Sequence, residues 1–182
     1  MRKIFLLSAA AIILAGCATW TQLEPREYEQ KASGFKAEMP QDWMRYNLGP
    51  NFLMTKDGTT LEMIWMERVP FDKKLEHTKK KYFEGMSVQE LADIEIDNLS
   101  SDDKIGNVLL LSNKPKTLNG RKAFCLEYTY TTSPSGLKVR GIKYGFVEGK
   151  WIYRIGFEAA EQYYFKKTRP AFDRFIGSFK VY

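Results

Sequence analysis

Apolar positions along the chain recur with two periods. Gly34-Phe35-Lys36-Ala37-Glu38-Met39 alternates apolar and polar and predicts a first strand. Pro40-Gln41-Asp42-Trp43 predicts a corner, because Pro fixes φ and Asp favours turns. Met44-Arg45-Tyr46 extends briefly, and Phe52-Leu53-Met54-Thr55 is a short strand. Lys56-Asp57-Gly58-Thr59 predicts a type I′ hairpin turn, since Asp-Gly supplies positive φ. The next strand runs from Leu61 to Val69. Leu61, Met63 and Trp65 lie on one of its faces and Ile64 and Met66 on the other. A strand apolar on both sides is covered on both sides.

Residues 70 to 85 form a basic connection. Ser87 and Glu90 then have the spacing of a capping box. Val88, Leu91, Ala92, Glu95, Ile96 and Leu99 follow at helical spacing, which predicts a helix from 87 to 100. Asn107 to Asn113 is apolar in its middle, and Lys116-Thr117-Leu118 leads into Asn119-Gly120, a second hairpin signal. Arg121 to Thr132, Leu137 to Val147 and Trp151 to Phe157 alternate, with turns at Ser133-Pro134-Ser135-Gly136 and Glu148-Gly149-Lys150. They predict a three-strand antiparallel meander with an aromatic surface, built from Phe124, Tyr128, Tyr144, Phe146, Tyr153 and Phe157. Glu161 to Gly177 has a helical period, with Pro170 expected to interrupt the helix or open its main part. Phe179 to Tyr182 returns as a short strand. The expectation is an α+β fold, an antiparallel sheet of about six strands flanked by helices on both faces.

The N-terminus has a different character. Arg2 and Lys3 precede an apolar run from Ile4 to Leu14 in which Ser8 is the only polar residue. As a helix this run rises about 16 Å, too short for a hydrocarbon core of about 30 Å. It reads as a signal peptide over residues 1–16. Leu14-Ala15-Gly16-Cys17 resembles the lipobox of bacterial lipoproteins. The resemblance implies peptidase recognition through Leu14, Ala15 and Gly16 and a diacylglyceryl thioether on Cys17. It also implies cleavage before Cys17 and an acyl chain such as palmitate on the new amine. Ala18 in the following position implies sorting to the outer membrane. Residues 17–32 read as the lipidated Cys and a tether, polar and without a clear period, with Trp20 and Tyr28 as the side chains able to dock. About 15 such residues reach roughly 50 Å when extended. Residues 33–182 read as a single domain.

Composition narrows the chemistry. The chain has 182 residues, a formal net charge of +6, 44% hydrophobic and 27% charged residues, a globular balance. Two Cys and one His exclude a disulfide framework, a Cys-rich zinc site and most His-based catalysis. With Cys17 lipidated, Cys125 stands alone in an apolar strand and reads as a small buried hydrophobe. His77 lies among Lys73, Lys74, Lys79, Lys80 and Lys81, which oppose a cation, so no metal is expected there. No nucleophile elbow, phosphate loop or dinucleotide fingerprint is present, so neither an enzyme nor a cofactor is expected. Asp93, Glu95 and Asp97 on the helix, and Asp102 and Asp103 after it, read as solvated carboxylates. The five lysines from 73 to 81 form either a solvated loop or a contact for an anionic surface. An exported location makes nucleic acid an unsuitable partner.

Three segments in order carry a second resemblance. Phe35-Lys36-Ala37-Glu38-Met39-Pro40-Gln41-Asp42-Trp43 resembles the opening of PsbP-like proteins. Leu118-Asn119-Gly120-Arg121-Lys122-Ala123 is similar to their central hairpin, and Phe175-Ile176-Gly177-Ser178-Phe179 to their close. The resemblance implies an α-β-α sandwich over residues 33–182, and binding or assembly work in place of a reaction. The expected function is that of a periplasmic lipoprotein, anchored through Cys17, that binds an envelope protein. The alternative is a small-ligand or lipid-binding module with an aromatic cleft between sheet and helix.

Overall fold

The computed structural model describes residues 19–182; Leu14, Ala15, Gly16, Cys17 and Ala18 lie outside the described residues. The chain forms β1 (Trp20–Gln22), β2 (Glu27–Gln30), β3 (Phe35–Glu38), β4 (Met44–Tyr46), β5 (Phe52–Thr55) and β6 (Glu62–Pro70). Helix α1 (Val88–Ser100) follows, then β7 (Ile105–Leu118), β8 (Arg121–Thr132), β9 (Lys138–Glu148) and β10 (Trp151–Ala160). Helix α2 (Tyr164–Ser178) and β11 (Lys180–Val181) close the chain.

An eight-stranded antiparallel sheet runs β1-β4-β5-β6-β10-β9-β8-β7, and a small sheet runs β11-β3-β2. The expectation of about six strands is therefore corrected to eight in the main sheet. One added strand comes from the segment expected as tether. Trp20–Gln22 pairs with β4, and Glu27–Gln30 pairs with β3. Apolar contacts hold this segment down: Leu23 is buried, Trp20 lies 5.0 Å from Tyr46, and Tyr28 lies 5.9 Å from Phe52.

The main sheet is covered on both faces, as the two-sided strand β6 requires. On one face α2 and the small sheet bury Phe35, Phe52, Ile64, Met66, Phe157 and Phe172. On the other, α1 and the 70–86 connection bury Leu91, Ile94, Phe124, Leu126, Tyr128 and Ile152. The meander's aromatics are thus divided between two faces. Register decides the division: Tyr128 stands opposite Gly141 and Phe124 opposite Gly145, while Trp65 of β6 stands opposite Gly156. A Cβ on Gly141 would lie 2.5 Å from the Tyr128 ring, on Gly145 2.3 Å from Phe124, and on Gly156 2.2 Å from Trp65. These glycines leave the space that the neighbouring rings fill.

Of three local expectations, one holds and two are corrected. Ser87 caps α1 in a full capping box with Glu90, as its spacing predicts. The β5–β6 connection is longer than a two-residue turn, because buried Glu62 gathers donors across it. Its Oε1 accepts from the Lys56 and Asp57 amides (2.9 and 2.6 Å) and from the Thr55 hydroxyl (3.1 Å). Helix α2 runs through Pro170 without a break. Pro170 and Lys166 are both exposed, so the carbonyl left without its N–H faces water, while Phe165, Phe172 and Phe175 on the other side are buried.

Candidate functional site

The face beneath α1 holds a buried charge cluster. Glu95 comes from α1, Lys143 from β9, Arg154 from β10, Glu67 from β6, and Tyr82 from the connection before α1. Glu95 is fully buried. Its carboxylate accepts from Lys143 Nζ (3.2 Å) and Arg154 Nη2 (3.0 Å), and from the Tyr82 hydroxyl. Arg154 also donates to Glu67 (2.7 Å), which accepts from Asn51 (2.5 Å). Lys143 and Arg154 lie 5.6 and 5.8 Å from the Trp65 ring. Nearby, Glu158 accepts from the hydroxyls of Tyr128 (2.7 Å) and Tyr130 (3.0 Å).

The electrostatics are those of a closed set. Burial would raise the Glu95 carboxyl, but Lys143 and Arg154 beside it hold it down to about 2. Burial and then Glu95 push the Tyr82 hydroxyl upward, and Arg154 rises through Glu95 against the effect of its own burial. Burial and Glu158 also raise Tyr128 and Tyr130. Two carboxylates face two cations, and the tyrosines stay neutral. Such a cluster docks α1 and the connection onto the sheet in one register, with Glu67 and Arg154 reaching the wall of an adjoining cleft.

The expected solvation of the helix carboxylates is corrected at Glu95, whose stripe position turns it inward. Asp97 is bound by the Thr78 hydroxyl and by Lys80 (3.0 Å), and Asp93 by Gln89 (2.8 Å). The sequence carried a signal only for Glu95, which falls on the apolar stripe of α1; Lys143 and Arg154 alternate with the aromatic residues of their strands and face the second covered side of the sheet.

The lysines of the connection are not one patch. Lys73 and Lys74 line a cleft of about 210 Å³ with Trp65, Leu75 and Arg154. Lys80 is tied to α1 through Asp97, while Lys79 and Lys81 are exposed. His77 Nε2 lies 3.5 Å from Asp102 and 3.6 Å from Glu76, and its amide donates to Asn98 (3.1 Å). His77, Asp102 and Asp103 each offer one ligand-type atom, all within 4.8 Å of one another. Cys125 is half-buried, and burial raises its thiol, which keeps it protonated and unreactive.

The opposite border of the sheet has another chemistry. β7 is the last strand, and its outer edge has no strand partner among the described residues. Leu109, Leu110 and Leu111 are 58%, 41% and 43% exposed. Register shifts fall between Gly106 and Leu109 and between Leu110 and Ser112, which breaks strict alternation and turns three successive leucines outward. Lys104, Lys114 and Lys116 around them have no carboxylate partner among the described residues.

No family model and no curated protein matches the chain. Solved structures do. Cyanobacterial PsbP (CyanoP) from Synechocystis aligns with a TM-score of 0.61 at 13% identity, over 92% of this chain and 95% of that one. The Saccharomyces cerevisiae Ran-binding protein Mog1p aligns with 0.57 at 9% identity, over 88% and 96%. LpqN, involved in cell envelope biogenesis of Mycobacterium tuberculosis, aligns with 0.50 at 9% identity, over 81% and 82%. The chain therefore has the PsbP/Mog1-like fold, a mostly antiparallel sheet with two helices. Among the described residues no helix is long and apolar enough to cross a membrane.

Proposed function

We propose that this chain is a non-catalytic binding module of the cell envelope, acylated at Cys17, sorted by Ala18 to the periplasmic face of the outer membrane, and recognising an extended segment of an envelope protein along β7. The observation that carries the binding role is the β7 edge, with three exposed leucines on a strand that has one free side. An open, apolar edge invites a further strand, with main-chain hydrogen bonds giving affinity and side chains giving selection. The unpaired lysines favour acidic residues beside the apolar ones in that segment. They also disfavour a second copy, because antiparallel self-pairing centred on Leu110 sets Lys104 against Lys116. The leader and the lipobox support the envelope setting, and the similar fold of LpqN, a protein of envelope biogenesis, agrees with it.

Photo-crosslinking in intact cells tests the reading, with a benzophenone side chain at Leu110 and a control at Lys166 on α2. The expected result is one discrete envelope adduct from Leu110, absent from Lys166 and lost in Cys17→Ser. No adduct from β7, or the same adducts from both positions, would overturn it.

A further inference from the structure

Strand direction decides which end of the sheet the chain enters. β1 runs antiparallel to β4, β4 to β5, and β5 to β6. The backbone before Trp20 therefore leaves from the end where β6 finishes at Pro70 and β10 begins at Trp151. The Asn47 amide fixes it there by donating to the Thr19 carbonyl (2.9 Å). Only Ala18 and Thr19 separate Cys17 from Trp20, a reach of about 10 Å at full extension. A lipid on Cys17 would hold this end of the domain against the bilayer, in place of the roughly 50 Å that a free tether allows.

The same end carries the side chains that a bilayer surface binds. Leu48 is 51% exposed, and Phe71 and Trp151 are half-buried. Arg68 and Lys150 lie 4.6 and 5.6 Å from the Trp151 ring. Lys31, Lys73 and Lys150 are exposed, and none has a carboxylate partner among the described residues. At the far end Lys104 and Lys166 are exposed too, but three other lysines are neutralised: Lys56 by Asp42 (3.5 Å), Lys138 by Glu161 (2.8 Å) and Lys167 by Asp57 (2.7 Å). Asp102 and Asp103 add negative charge there. Free cations interleaved with aromatic rings at one end fit the headgroup layer of an anionic membrane.

We propose that this end, through Leu48, Phe71, Trp151, Lys31, Lys73 and Lys150, is a membrane-contact surface for anionic lipid. The inference rests on the proposed acylation of Cys17, which supplies the short link. It also orients the molecule: β7 lies seven strand spacings from β1, about 34 Å across the sheet, which leaves its edge clear of the anchor.

The test uses the unacylated chain from Ala18 to Tyr182, which holds every core side chain named above. Its co-sedimentation with vesicles of 30% phosphatidylglycerol in phosphatidylcholine is measured for three proteins: the parent chain, Lys73→Glu/Lys150→Glu, and Lys104→Glu/Lys166→Glu at the far end. The expected result is binding that high salt abolishes, weakened at least tenfold by the first pair and less than twofold by the second. Absence of binding, or equal loss in both pairs, would overturn the contact surface. Intact mass of the chain from host membranes reads acylation separately. An acylated chain without vesicle binding defeats this inference alone. A chain without acyl groups whose soluble form still binds through Lys73 and Lys150 defeats the anchor and supports the surface.

Discussion

Glu95→Gln removes one oxygen's charge and almost no volume, so its effect reports the buried cluster. In the native chain Glu95 is fully buried between Lys143 and Arg154. After the change Arg154 keeps Glu67 (2.7 Å), but Lys143, with 6% of its side chain exposed, has no carboxylate left, only a neutral amide and the rings of Trp65 and Tyr128. Breaking a buried pair on one side costs about 3–5 kcal/mol. Linkage gives a second figure. The Glu95 carboxyl falls from an ordinary 4.5 to about 2, which corresponds to about 3 kcal/mol. Because its pKa is lowered on folding, that stability is present above pH 4.5 and lost as pH falls toward 2. Urea unfolding followed by tryptophan fluorescence reads both. At pH 7 Glu95→Gln is expected to lose about 3–5 kcal/mol. Between pH 4.5 and 2 it is expected to lose less further stability than the parent. Glu95→Leu with Lys143→Met, which removes both charges, is expected to recover most of the loss. A single-variant loss under about 1 kcal/mol, or an unchanged pH profile, would refute the closed cluster.

Other consequences follow from packing and capping. Gly156→Ala puts a Cβ 2.2 Å from the Trp65 ring; a loss of about 1–3 kcal/mol in urea unfolding is expected, and a neutral result would contradict the ring-into-glycine packing. Ser87→Ala removes the acceptor for the Glu90 amide (3.2 Å) and is expected to cost about 1 kcal/mol by the same assay. Burial raises the Cys125 thiol, so iodoacetamide at pH 8 is expected to label the folded chain more slowly than the urea-unfolded chain. Labelling of the folded chain as fast as of the urea-unfolded chain would contradict that environment.

Several elements were legible because their signals are local. Ser87 and Glu90 set the start of α1 through one capping box, and β6 declared its two covered faces through its own side chains. The division of the aromatics was hidden because it depends on register between strands. Tyr128, Phe124 and Trp65 find their space only where Gly141, Gly145 and Gly156 stand opposite them. β1 and β2 escape the sequence for a related reason: three or four residues with one aromatic each become strands only when β4 and β3 offer them an edge. Glu95 shows the limit of reading charge as solvation. Its helical position pointed inward, but its partners come from strands 48 and 59 residues away. The exposed leucines of β7 were visible as an apolar run, whereas their outward turn comes from bulges that only pairing with β8 creates.

The most direct measurement of binding along β7 is amide hydrogen exchange of the chain in native envelope membranes, compared with the purified chain. If β7 is the binding edge, the outer amides of residues 105–113 exchange quickly in isolation and gain protection in the membranes, with the amides of α2 unchanged. Protection that appears on the α2 face, or β7 amides that exchange equally fast in both states, would contradict the role of this edge as the binding surface.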